Sequence, residues 1–172
     1  MIYDFEALSE VFRQLPDDAA ERAASVIRAH RRIFVYGAGR SGLMLKALAM
    51  RLAQANRTVY VVGETITPAI AENDLLILAS ASGNTAGVCR YAETAKEAGA
   101  DLLILTASPQ SALTEISGAD VCFRTPTKDD GDNPVSLMGT LFEQALLLFC
   151  DRVILCLKED FAGMRKRHAN LE

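Results

Sequence analysis

Histidine occurs only twice in 172 residues, and the four cysteines (Cys89, Cys122, Cys150, Cys156) are scattered without the short paired spacings of a metal site. Together these shortages argue against a zinc centre. The cysteines read instead as reduced, structural side chains. Basic residues are outnumbered as well, 18 Lys and Arg against 22 Asp and Glu, for a net charge of −4. That balance excludes a broad cationic surface, so neither nucleic acid nor anionic lipid is the expected partner. A few local donors can still bind a small anion inside an acidic protein. No N-terminal stretch joins a basic flank to an apolar core and a small-residue cleavage site, and no apolar run is long enough for a membrane span. A cytoplasmic protein is expected. Internal repeats and low-complexity tracts are lacking too.

What is present is the composition of a soluble globular chain, half of it apolar and 23% charged, long enough to bury a core as one domain over 1–172. Residues 3–14 place Phe5, Leu8, Val11 and Phe12 at helical spacing. Pro16 then opens a second helix that closes near His30-Arg31-Arg32. From there short apolar runs recur at 33–36, 59–62, 75–79, 102–105 and 121–123. Helical stretches separate most of them, at 42–56, 85–99 and about 110–118, while 63–74 reads as loop. This alternation predicts an α/β fold: a three-layer α/β/α sandwich around a parallel sheet. Residues 128–134 read as an exposed, mobile loop. A long helix over 136–159 is apolar nearly all round and must be covered on more than one face. One sheet cannot cover a terminal helix on two faces, so a second subunit is expected there.

Two loops follow strands and open helices. The first, Gly37-Ala38-Gly39-Arg40-Ser41-Gly42, with Glu64 some twenty residues on, matches a dinucleotide-binding fingerprint. The second, Ser80-Ala81-Ser82-Gly83-Asn84-Thr85, does not belong to that scheme, which needs one glycine-rich turn and leaves later strand ends for ribose and nicotinamide. Backbone N–H groups at both helix starts suit a phosphate. Ser80, Ser82 and Thr85 add hydroxyl donors beyond what helix capping requires. With Ser41, they can converge on a single phosphate. Glu64, Thr65 and Thr67 read either as a site wall or as a turn.

The GAGRSG turn, VGETITP at 62–68, the SASGNT loop, GTLFE at 139–143 and the MRKRHANLE ending resemble, in this order and spacing, the sugar isomerase (SIS) domain family. Within it they are most similar to isomerases of hexulose phosphates. The resemblance covers nearly the whole chain. It implies a five-stranded, flavodoxin-like parallel sheet between helices, a homotetramer with sites near subunit boundaries, and no metal or organic cofactor. It also implies interconversion of D-arabino-3-hexulose 6-phosphate and D-fructose 6-phosphate, a step of the ribulose monophosphate route. By the same resemblance Ser41, Ser80, Ser82 and Thr85 hold the phosphate and Glu143 is the catalytic base.

Glu143 shares a helical stripe with Leu147, Cys150 and Ile154, where a carboxylate is expensive unless paired or used. Its alternative role is structural, paired with Arg40, Arg51 or a neighbouring chain. Arg40, Asn84 and the N–H groups of both loops, Gly39 included, are candidate donors to a developing enediolate. His168 sits in a basic run that suits a helix C-terminus. Related isomerases fold this segment over a neighbour's site, which makes His168 a candidate proton shuttle. Two other functions fit the same fold, a sugar-phosphate-sensing module or an isomerase of another sugar phosphate. Residues 1–32 offer no helix-turn-helix with a basic recognition helix for the first of these.

Overall fold

The apolar runs of the sequence become strands β1 (Arg32–Gly37), β2 (Thr58–Val61), β3 (Leu75–Ser80), β4 (Asp101–Thr106) and β5 (Val121–Cys122) in a computed structural model of the chain. It describes residues 5–131 and 137–170. All neighbouring strands are parallel, in the order β2-β1-β3-β4-β5. The three-layer α/β expectation and its flavodoxin-like strand order are met. Sequence and position agree along the sheet. Central β3, LLILAS, is buried at every residue, as a strand covered on both faces must be. Edge strand β2 has no fully buried residue.

Alternation along the strands divides the apolar residues between two cores. Ile33, Val35, Leu75, Ile77, Leu103 and Leu105 face one layer. Helices α1 (Phe5–Arg13), α2 (Ala19–Ala29), α3 (Gly39–Gln54) and α6 (Thr140–Cys156) supply residues to that core. Phe34, Leu76, Leu78 and Ile104 face the other, built with α4 (Ala86–Glu97) and α5 (Ala112–Ser117). A short α7 (Phe161–Lys166) packs against α3. Residues 63–74 form no helix or strand, as expected.

The long C-terminal helix differs from its expectation in two ways. Its expected start at 136, and 132–134 of the expected loop, lie outside the described residues. Residues Leu137–Gly139 form a 3₁₀ turn with Met138 and Gly139 at positive φ (55° and 84°), so α6 itself begins at Thr140. Its cover also comes from an unexpected source. Helices α1, α2 and α3 of the same chain pack on it, so own-chain contacts bury most of the surface that seemed to require a second subunit. Leu148 and Leu155, 46% and 52% exposed, are what they leave uncovered. Among the described residues, no helix is long and apolar enough to cross a membrane.

The sheet is pinned at its amino end by a buried carboxylate. Asp74 accepts from Arg32 Nε (2.7 Å) and from the Ala71 N–H (2.8 Å), and its own carbonyl accepts from the Asp101 N–H (2.9 Å). Burial works against the Asp74 charge, but the Arg32 guanidinium and the Ala71 N–H outweigh it and hold the carboxyl below its ordinary range. Asp74→Asn is expected to destabilise the fold by about 1.5–3 kcal/mol at neutral pH. The sign of the pH effect follows from the lowered value. Asp74 contributes fully above its unfolded pKa of about 3.9, and the contribution is lost as pH falls through the lower folded value. Urea titrations should therefore show the gap between wild type and variant narrowing in acid; a gap independent of pH contradicts the assignment.

Candidate functional site

The chain leaves β1 and β3, adjacent strands, towards opposite sides of the sheet, and this opens a crevice at their carboxyl ends. At the end of β1, α3 starts almost in contact with the strand. A Cβ on Gly42 would collide with the Gly37 carbonyl, so only glycine lets the helix sit this close. The residue before α3 is Ala38, which has no side chain able to cap it. The first N–H groups of α3, beginning at Gly39, therefore remain open to another acceptor.

The loop after β3 answers whether its hydroxyls are merely caps. Thr85 stands at the N-cap of α4 but makes no side-chain cap bond. Ser80 Oγ accepts the Gly83 N–H (3.1 Å) and lies 3.2 Å from Thr85 Oγ1, while Ser82 Oγ accepts the Asn84 N–H (3.3 Å). These bonds shape the loop and leave the helix start unsealed. Capping elsewhere in the chain looks different: Ser111 accepts from the Thr114 N–H, and Asp160 from those of Ala162 and Gly163.

Gly39, Arg40, Ser41, Ser80, Ser82 and Thr85 all line one cleft of about 280 Å³. Glu143, in the first turn of α6, closes it from the other side. Its side chain is 11% exposed and is hydrogen-bonded to Arg40 Nε, whose own side chain is 59% exposed. Of the roles open to Glu143 in the sequence, pairing with Arg40 is realised, and it is realised at the cleft wall. The uncapped start of α6 at Gly139 borders the same space. Hydroxyls, three helix starts without side-chain caps and a carboxylate thus meet at one cleft, an arrangement able to hold a small anionic molecule and move a proton.

Not every expected residue arrives there. Asn84 does not line the cleft; its Oδ1 accepts the Ala112 N–H (3.0 Å), so its amide is used to join the loop to α5. His168 lies exposed in a separate hollow of about 420 Å³ with Phe161 and Asp151, its Nδ1 beside its own chain's Ala169 carbonyl (3.1 Å). Within one chain it does not reach Glu143. The residues after β2 form a turn rather than a site wall: Thr67 Oγ1 donates to the Val61 carbonyl, and Glu64 pairs with Lys46 (3.1 Å). Sequence reading missed Thr127 and Lys128, which also line the cleft. The one signal for them was a cation set among aspartates.

A parallel sheet with a hydroxyl-lined cleft at its switch point and a carboxylate beside it defines an α/β protein that takes its ligand at the carboxyl ends of the strands. The model of the SIS domain matches residues 26–147, and the chain belongs to that family. A 3-hexulose-6-phosphate isomerase from Mycobacterium gastri is 42% identical over 163 residues, spanning 91% of this chain and 81% of its own. One from Bacillus subtilis strain 168 is 40% identical over 182 residues, spanning 99% and 97%. Among solved structures, a hypothetical protein from Methanococcus jannaschii superposes with a TM-score of 0.81. It is 30% identical and covers 98% of this chain and 95% of its own; a molecular function of 3-hexulose-6-phosphate isomerase was inferred for it.

The cleft geometry makes a binding prediction. Removing two hydroxyls in Ser82→Ala/Thr85→Ala should weaken binding of inorganic phosphate, used as a probe of the cleft, by about tenfold to a hundredfold, as the loss of one or two hydrogen bonds to a charged group implies. The variant should melt close to wild type without ligand. Ligand-dependent melting curves measure both; undiminished affinity moves the phosphate elsewhere.

Proposed function

We propose that this protein interconverts D-arabino-3-hexulose 6-phosphate and D-fructose 6-phosphate through an enediol intermediate. The observation that carries the reading is the buried Glu143 carboxylate, which faces the hydroxyl-lined cleft across the sheet's switch point. The relatives named for this reaction span nearly the full chain, which supports the substrate over other sugar phosphates.

In this scheme the phosphate sits among the hydroxyls of Ser41, Ser80, Ser82 and Thr85 and the open N–H groups that begin at Gly39. Binding there turns the sugar's remote charge into orientation of its carbons. Glu143 takes the proton from C2 of the 3-ketose, and the C3 oxygen gains a proton as the enediol forms. Loss of the C2 hydroxyl proton and return of a proton to C3 give the 2-ketose, with no net oxidation. Arg40, already beside Glu143, is placed to donate to the enediolate oxygens. His168 enters only through assembly: in a homotetramer it comes from a neighbouring copy and relays protons between the two oxygens. The setting is cytoplasmic, in keeping with four unpaired cysteines.

The decisive measurement couples turnover of 3-hexulose 6-phosphate to detection of fructose 6-phosphate, with Glu143→Gln alongside. Wild-type turnover is expected, reduced in the variant by about two to four powers of ten. D-fructose 6-phosphate should still raise the variant's melting temperature. A fully active Glu143→Gln removes the residue from the chemistry. An inactive wild type that phosphosugars nonetheless stabilise is a sensor or acts on another sugar.

A further inference from the structure

The connection after β5 enters the cleft and carries a cation into it. Thr127 is buried and braces its own turn. Its N–H donates to Asp130 Oδ2 (2.6 Å), its Oγ1 accepts the Asp129 N–H (3.2 Å), and its carbonyl accepts the Asp130 N–H (3.3 Å). These bonds fix the backbone on both sides of Lys128, which lines the cleft with Thr127. An ammonium flanked by Asp129 and Asp130 would ordinarily find its counter-charge next door. Here the Asp130 carboxylate is committed to the Thr127 N–H, a bond that holds it below its ordinary range. Among the described residues Lys128 takes part in no ion pair.

The charges lining the cleft are then quickly counted. Arg40 and Glu143 neutralise each other. The hydroxyls and helix N–H groups donate hydrogen bonds but bring no full charge. A phosphate monoester carries about −1.5 to −2 near neutral pH, and Lys128 is the cation left to meet it. We propose that Lys128 binds the phosphate of the substrate, leaving Arg40 to Glu143 and the reacting carbons. The proposal rests on the reading of this cleft as a sugar-phosphate site, and assigns the phosphate a counter-ion outside the two loops that the sequence singled out.

Lys128→Met, with Lys128→Arg as the conservative variant, separates this role from others. Because the side chain is exposed, both variants should melt like wild type without ligand. For Lys128→Met, the KM for 3-hexulose 6-phosphate and the inhibition constant for inorganic phosphate should rise together by about tenfold or more, with kcat within about threefold of wild type. Lys128→Arg should recover most of both losses. Unchanged KM and phosphate inhibition overturn the proposal. A fall in kcat with both constants intact also overturns it, and moves Lys128 to the chemistry. The melting shift produced by inorganic phosphate needs no turnover, so it distinguishes this proposal from the proposed reaction. If wild type fails to isomerise yet its phosphate-induced shift is lost in Lys128→Met, the Lys128 assignment stands and only the reaction falls; an equal shift in both proteins overturns the assignment.

Discussion

A helix begins with N–H groups that its own turns cannot satisfy, and the site in this protein depends on where those groups are left open. Ala38, Thr85 and Gly139 precede α3, α4 and α6, and none makes a side-chain cap bond. Those three starts border one cleft. The helices α5 and α7 have no such duty and are capped by Ser111 and Asp160. Helix α2 lacks a cap bond as well, but Asp18 and Glu21 place negative charge at its first turn. What sets the cleft apart is the convergence of open ends, since a single one would be unremarkable. Fold and function are linked here by the parallel sheet: it aims β1 and β3 at the same edge, so the helices that follow them must start side by side.

The Arg40–Glu143 pair joins the two halves of this arrangement. Arg40 belongs to the first turn of α3 and Glu143 to that of α6, and the helices pack against each other below them. Breaking a buried pair on one side is strongly destabilising because it strands a charge. Glu143 is the buried member, and Arg40, mostly exposed, can turn away to other acceptors at lower cost. The pair therefore orients the carboxylate without sealing it, which suits the base that Glu143 is proposed to be.

Much of this was legible in the sequence, for identifiable reasons. The β3 strand, with no polar residue before Ser80, can only be a strand buried on both faces. The loops at 37–42 and 80–85 carry their chemistry in adjacent residues, and short-range chemistry survives without coordinates. What stayed hidden depends on long-range packing. Asn84 reads as a ligand group beside Ser82 and Thr85, until α5 arrives and claims its carbonyl for Ala112. The all-round apolarity of α6 is real, but α1 and α2, distant in sequence, were not recognisable as its cover. Lys128 was invisible for the opposite reason: its acidic neighbours made the segment look like solvated loop, and only the turn around Thr127 shows where it faces.

The two ends of the sheet make the division of labour explicit. At the amino end, charged and polar groups satisfy one another. Arg32 meets Asp74, and His30 bonds the Val26 carbonyl through Nδ1 (2.8 Å) and Asp101 through Nε2 (2.9 Å). Such an end contributes stability and has little left to offer a ligand. At the carboxyl end the same chain leaves hydroxyls turned toward a cleft, three helix starts uncapped and one ammonium without an ionic partner among the described residues. The ammonium and the helix starts without side-chain caps are donors still open to a ligand, whereas Ser41 and Ser80 are buried and Ser80 Oγ already accepts the Gly83 N–H. Water can be displaced by an anion that meets several such donors at once, and an anion with fewer acceptor oxygens would leave some of them unmet. A tetrahedral, multiply charged phosphate, the group proposed for this cleft, offers such donors more acceptor oxygens than a carboxylate does.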